Sequence, residues 1–149
     1  MVVVFDSDVL IPLILPASRS TRLFARLTEA GHVVAASEPL LDEVREKLRT
    51  KPSVREWLAL SDSDIERFLE KLPALCRVTP GLLSVSGAVP DDPKDDMVIA
   101  AAVESGALYL ISEDKHLRKL KQWQHIAIMN RNEFMHELDR LDVAQASKE

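Results

Sequence analysis

Five acidic positions fall where a short apolar run has just ended, where a helix begins, or beside the apolar stripe of a helix. They are Asp6 after VVVF, Glu43 in LLDEVREKL, Asp95 and Asp96 ahead of MVIAAAV, and Asp114 in ISED. Each has an ordinary explanation by itself. Asp6 and Asp114 suit turns after strands, Asp92 and Asp95 complement the dipole of a helix start, and Glu43 can pair with Lys47 one turn on. Taken together they describe something else. Carboxylates gathered at one edge of a sheet repel and raise one another's pKa values, a conflict that hard cations relieve. A site of oxygens alone, without His or Cys, favours Mg²⁺ or Mn²⁺. Such an ion acidifies bound water and clamps a phosphate for in-line attack. The chemistry expected is phosphodiester hydrolysis by metal-activated water, which needs no nucleophilic side chain.

The elements that would position these acids alternate. Val2–Phe5 reads as a buried strand stopping at Asp6-Ser7-Asp8, whereas residues 9–15, broken by Pro12, fit neither helix nor strand. Leu23, Phe24 and Leu27 set helical spacing over residues 20–30, with Gly31 as the stop. After a second strand at 33–36, Ser37 caps a helix with Pro39 early in it and Leu40, Leu41, Val44 and Leu48 on one face. Pro52 ends that helix, residues 53–60 are helical, and Ser61 with Asp64 opens a further helix that should end at Pro73. A third strand is expected at 75–78, then a loop at 79–90 containing Gly81 and Gly87. Asp92-Pro93 opens a helix that is apolar nearly all round and therefore buried, with Gly106 ending it. A strand at 108–111, a short basic amphipathic helix, a fifth strand at Ile126–Met129 and a helix at 132–141 complete the chain. Such alternation predicts a three-layer α/β/α domain with a short, mainly parallel sheet, whose ligands gather at the carboxyl ends of the strands.

Composition narrows the function. A chain of 149 residues suits one domain. The lone Cys76 cannot form an intrachain disulfide, and His32, His116, His125 and His136 show no zinc-ligand spacing. The longest apolar stretch, 97–103, falls far short of the ~20 residues of a membrane span, and MVVVFDSD lacks the basic start of a signal peptide. A cytoplasmic protein with no membrane association is expected. A net charge of −5 excludes binding to nucleic acid through bulk charge, so any polyanion must be held by local basic patches and by cations on the carboxylates.

These residues resemble the PIN-domain family of metal-dependent ribonucleases, especially the small toxins of bacterial toxin–antitoxin systems (VapC-like), over about the first 135 residues. VVVFDSDVL is similar to the family's strand-DTNV opening and LLDEVREKL to its Glu-bearing helix. DPKDDMVIAAAVESGALYLISEDKHL is similar to its aspartate-led apolar helix followed by a strand and an S/T-x-D element. The resemblance implies that Asp6, Glu43, Asp96 and Asp114 bind Mg²⁺ or Mn²⁺ and carry catalysis, with Ser7, Asp8, Asp95 and Ser112 in support. Asp96 is preferred to its neighbour Asp95 because it stands directly before the apolar run. The resemblance further implies an endoribonuclease acting on RNA, a single nuclease domain over 1–142 with a frayed tail at 143–149, the toxin role, a cognate antitoxin protein as partner, and a homodimer as an available assembly. Asp8 departs from the family's usual Asn, and His116 stands where many toxin-like relatives carry a second Asp.

Two other readings compete. FDSDVL also fits the DxDxV opening of haloacid-dehalogenase-like phosphatases, with Asp6 as covalent nucleophile and Asp8 as general acid, though this leaves Glu43 and Asp114 idle. A PIN-like interaction domain without activity is the non-enzymatic alternative. For RNA contact the candidates are Lys115, Arg118, Lys119 and Lys121, with Trp123 available to stack on a base. Arg45, Lys47 and Arg49 beside Glu43 are of similar rank.

Overall fold

The computed structural model describes residues 1–90 and 92–148. At its centre lies β1 (Val2–Phe5), a continuous apolar run in which Val3, Val4 and Phe5 are all 0% exposed. Successive strand residues point to opposite faces of a sheet, so burial of three in a row means that both faces are covered. This is the three-layer arrangement expected. The other strands are β2 (Val33–Ser37), β3 (Arg77–Thr79), β4 (Tyr109–Ile111), β5 (Gln122–Trp123) and β6 (Ile126–Met129), in the spatial order β3-β2-β1-β4-β6-β5. All neighbours pair in parallel except β5 with β6. The register sets Phe5 opposite Ile111, so β1 and β4 end side by side.

The helices are α1 (Ser7–Leu10), α2 (Arg19–Glu29), α3 (Glu38–Thr50), α4 (Pro52–Leu58), α5 (Asp62–Leu75), α6 (Asp96–Ser105), α7 (Lys115–Arg118) and α8 (Arg131–Ala146). The stretch whose pattern fits neither helix nor strand is α1 running into a 3-10 turn at Ile11–Ile14, with Pro12 early in that turn, where a missing N–H costs little. Ser37 caps α3 by accepting the Leu40 N–H, and Ser61 with Asp64 closes a full capping box on α5. α6 carries buried Val98, Ile99, Ala100, Ala101 and Ala102 and packs on β1, β2, β3, β4 and α3. Its alanines let it lie close across the sheet. Gly106 ends it in the left-handed conformation at φ 73°.

Four expectations are corrected. α5 continues two residues past Pro73, because a proline in the last turn forfeits a single backbone bond. β3 accordingly begins at Arg77 rather than at 75. The basic helix is one turn, α7, and the chain after it forms a hairpin: β5 and β6 meet through Gln124, which adopts the left-handed conformation at φ 53°. α8 starts at Arg131, closed by an Asn130–Glu133 capping box, and runs to Ala146, so residues 143–146 of the expected tail are helical. Glu149, the last residue of that tail, lies outside the described residues. Among the described residues no helix is long and apolar enough to cross a membrane.

Candidate metal centre

Asp6 is the first residue beyond β1. Its backbone N–H donates to the Ile111 carbonyl at 2.9 Å, carrying the β1–β4 ladder one step further and fixing the residue at the carboxyl edge of the sheet. Its carboxylate accepts from the Ser7 N–H at 2.7 Å and from the Ser112 hydroxyl at 2.8 Å. Ser112 comes directly after β4 and is tied to β6 through the Met129 carbonyl at 2.9 Å. Its hydroxyl oxygen also accepts the Asp114 N–H at 3.0 Å. One buried serine thus links two of the expected acids. Asp114 caps α7 by accepting the His116 N–H at 2.7 Å.

Glu43 lies on α3, which packs against α1. Lys47, one turn further along the same helix face, places its Nζ 3.8 Å from a Glu43 oxygen and donates to the Ser7 hydroxyl at 2.6 Å. The lysine bridges α3 to the segment that carries Asp6. Burial holds the Asp6 carboxyl above the usual carboxylate range, the Glu43 charge adds to that rise, and the Ser112 and Ser7 hydrogen bonds with the Lys47 charge oppose it.

At the start of α6 the two adjacent aspartates have different surroundings. A 3-10 turn at Pro93–Asp95 precedes α6. Asp95 ends that turn at 8% exposure, close to Asp114, Asp6 and Asp92. Burial first, then the charges of Asp114, Asp6 and Asp92, push its carboxyl up to about 8. It also shares a hydrogen bond with Asp114, and its Oδ2 is buried with no protein partner. Carboxylate oxygens of Asp92, Asp95 and Asp114 lie within 4.8 Å of one another. Asp96 faces elsewhere. Both its oxygens accept backbone N–H groups of the preceding loop, from Gly87 and Val89, each at 2.8 Å. Asp95, and not Asp96 as expected, is thus the one of the pair that lies beside Asp6 and Asp114. Neighbouring helical residues point about 100° apart, so only one of the two can face the cluster.

Asp8 sits at the margin. One oxygen accepts the Glu113 N–H at 3.1 Å, the other is buried without a partner, and burial together with the Asp6 charge pushes the carboxyl up to about 7. Glu113 is itself held by Arg131 Nε at 2.9 Å. Asp92, read from sequence as a helix cap, accepts the Lys94 N–H at 3.2 Å and also joins the cluster. The three-residue spacing of Asp92 and Asp95 was the sequence signal for Asp92.

A model of the PIN domain family matches residues 2–116. The chain belongs to the PIN domain family. Its fold is similar to VapBC2 from Rickettsia felis, solved bound to a DNA fragment from their promoter, with a TM-score of 0.59, 12% identity, and 87% of this chain and 98% of that chain covered. It is also similar to PAE2754 from Pyrobaculum aerophilum, with a TM-score of 0.55, 16% identity, and coverage of 90% and 87%. At these identities the likeness is one of fold. A comparison with curated proteins finds no match.

Within this PIN domain the expected basic segment forms α7 and the turn that follows it. Lys115 and Lys119 are exposed on and after the single turn of α7, whereas Arg118 is half-buried. Lys121 is exposed and takes the left-handed conformation at φ 61° on entry to β5. Trp123 packs against the core. Of the cations around Glu43, Arg45 pairs with Asp42 and Arg49 grips Glu66 through two bonds of 2.9 Å, leaving Lys47 as the one turned toward the carboxylates.

Proposed function

We propose that this PIN domain is a divalent-cation-dependent endoribonuclease whose metal-binding acids are Asp6, Glu43, Asp95 and Asp114. The observation that carries this reading is the pair of buried carboxylate oxygens, on Asp95 and Asp8, that no protein donor satisfies. An unpaired buried acceptor is costly, and here the unpaired atoms sit among groups whose charges already repel. The donor set is oxygen only, which suits Mg²⁺ or Mn²⁺, so the residues fit the cation that the chemistry requires. A cation bound there supplies Lewis-acid polarisation of a phosphate and lowers the pKa of water.

The chain's own residues have separate tasks. Ser7 and Ser112 fix the Asp6 carboxylate, and Lys47 holds the α3 side of the site while offering a positive charge near the place where a phosphate would enter. Asp96 secures the 87–89 loop. The phosphatase reading of Asp6 and Asp8 is not favoured. Both Asp6 oxygens are engaged at 4% exposure, which suits neither a covalent nucleophile nor its approach by substrate.

The biological role implied by the resemblance to small bacterial toxins is the toxin of a toxin–antitoxin pair, with RNA as substrate. A partner's arginine, which pairs with carboxylates through two bonds, is the natural inhibitor of such a site. The test is cleavage of single-stranded RNA. It should appear with Mg²⁺ or Mn²⁺ and vanish in EDTA, with no phosphate released from a small monoester. Cleavage that persists in excess chelator would overturn the metal mechanism.

A further inference from the structure

A groove of about 650 Å³ opens between α1 with its adjoining 3-10 turn and α4, and two of its lining residues, Asp8 and Lys47, also neighbour Asp6 and Glu43 of the carboxylate site. Four cations line it: Arg19, Lys47, Lys51 and Arg131. Two are committed elsewhere, since Lys47 bonds Ser7 and faces Glu43, and Arg131 bonds Glu113 and Ser20. The other two are available. Arg19 makes only a long 3.5 Å contact with the neutral Asn132, and among the described residues neither Arg19 nor Lys51 pairs with a carboxylate. Asp8 is the sole acid lining the groove among the described residues. In a chain of net charge −5, this is a local excess of positive charge.

On the same groove stands Trp57 of α4, 67% exposed. Leaving so large an aromatic surface in water forgoes the stabilisation that burial would give. Ile11, Leu15 and Val54 provide an apolar floor beside it. Cations matched by no acid, interleaved with an exposed aromatic face, make up the surface that binds single-stranded nucleic acid without regard to sequence.

We propose that this groove is the path by which single-stranded RNA leaves the carboxylate site, one base stacking on Trp57 and the backbone phosphates lying against Lys51 and Arg19. The assignment rests on the nuclease reading above and extends it to residues outside the cluster and outside the 115–121 segment. Continuity favours RNA over a peptide. Asp8 and Lys47 belong both to the groove and to the catalytic edge, so a strand whose phosphate lies at the carboxylates runs directly along the cations.

The test separates binding from cleavage. Metal-free protein in EDTA is titrated with a fluorescently labelled oligouridylate of twelve nucleotides, monitored by anisotropy, and with the unlabelled oligomer in a Trp123→Phe background, monitored by the emission of Trp57. RNA should quench Trp57. Trp57→Ala should weaken binding about tenfold, the size expected of one stacked base, whereas Trp57→Phe, which keeps a ring, should weaken it much less. Lys51→Glu should weaken binding at low salt and flatten its salt dependence, because a phosphate contact is lost. Circular dichroism checks that each variant is folded. If Trp57 stays unquenched while Trp57→Ala and Lys51→Glu bind RNA as tightly as the wild type, the groove assignment is overturned. Quenching by an acidic apolar peptide but not by RNA overturns it equally and makes the groove a protein-docking site. Wild type that binds RNA through Trp57 yet cuts nothing in Mn²⁺ would sink the nuclease reading and leave the groove standing as a binding site.

Discussion

Asp95 is caught between burial and the charges of its acidic neighbours. Its carboxyl, pushed up to about 8, keeps its proton in the metal-free fold long after the unfolded chain, titrating near the usual value of 3.8, has lost it. Between those two pH values the folded state binds more protons than the unfolded one, so stability from this group falls as pH rises through the window. Asp8, pushed to about 7, acts in the same direction. The metal-free wild type should therefore lose stability between pH 5 and pH 8 more steeply than Asp95→Asn, as measured by urea unfolding at a series of pH values. Identical slopes for the two proteins would contradict the account. Asp96 has a structural role instead. Its carboxylate satisfies two backbone donors, so Asp96→Ala should cost about 2 kcal/mol at pH 7, whereas Asp95→Asn should leave the metal-free protein as stable or more so. The acids themselves were legible in the sequence. The choice between the adjacent pair was not, because it depends on the three-residue 3-10 turn ahead of α6. That turn advances about 120° per residue instead of 100° and so shifts the phase of everything after it.

At the scale of the elements, the site is held by the residues just beyond the strands more than by the strands themselves. β1 and β4 end together, and their next residues, Asp6 and Ser112, meet because the ladder continues one bond past each strand. The strands were readable because their apolar runs are continuous. β5 was not, since Gln122-Trp123 is two residues of no clear pattern whose pairing depends on Gln124 entering the left-handed region. α8 ran past its expected end because Val143 to Ala146 contains no stop signal, whereas Gly31 and Gly106 marked the ends of α2 and α6 plainly. α3 presents Glu43 and Lys47 from a start fixed by Ser37, whose buried hydroxyl oxygen accepts the Leu40 N–H at 3.3 Å. Ser37→Ala should lower stability by about 1 kcal/mol. It should also slow RNA cleavage moderately, through the placement of Glu43, without changing the preference for Mn²⁺. A variant as stable as wild type in urea unfolding would show that the cap contributes nothing to α3.

Over the whole molecule, a three-layer PIN domain brings residues from four separate segments to one sheet edge. Asp6 comes from the first strand's end, Glu43 from α3, Asp95 from the turn before α6, Ser112 from the end of β4 and Asp114 from the start of α7. Most of this architecture was visible in the alternation of short apolar runs with amphipathic helices. The distribution of positive charge was not, because the cations that line the groove come from segments far apart in the chain. The central claim is that one of two adjacent aspartates completes a metal site and the other only anchors a loop. Mn²⁺-dependent cleavage of single-stranded RNA by Asp95→Asn and Asp96→Asn, side by side under identical conditions near neutral pH, tests it most directly. Residues that act as a unit lose most of the activity when any one is removed, so Asp95→Asn should cut at least about a hundredfold more slowly than wild type. Asp96→Asn should retain most of the wild-type rate. A hundredfold loss in Asp96→Asn with Asp95→Asn near the wild-type rate would contradict the account.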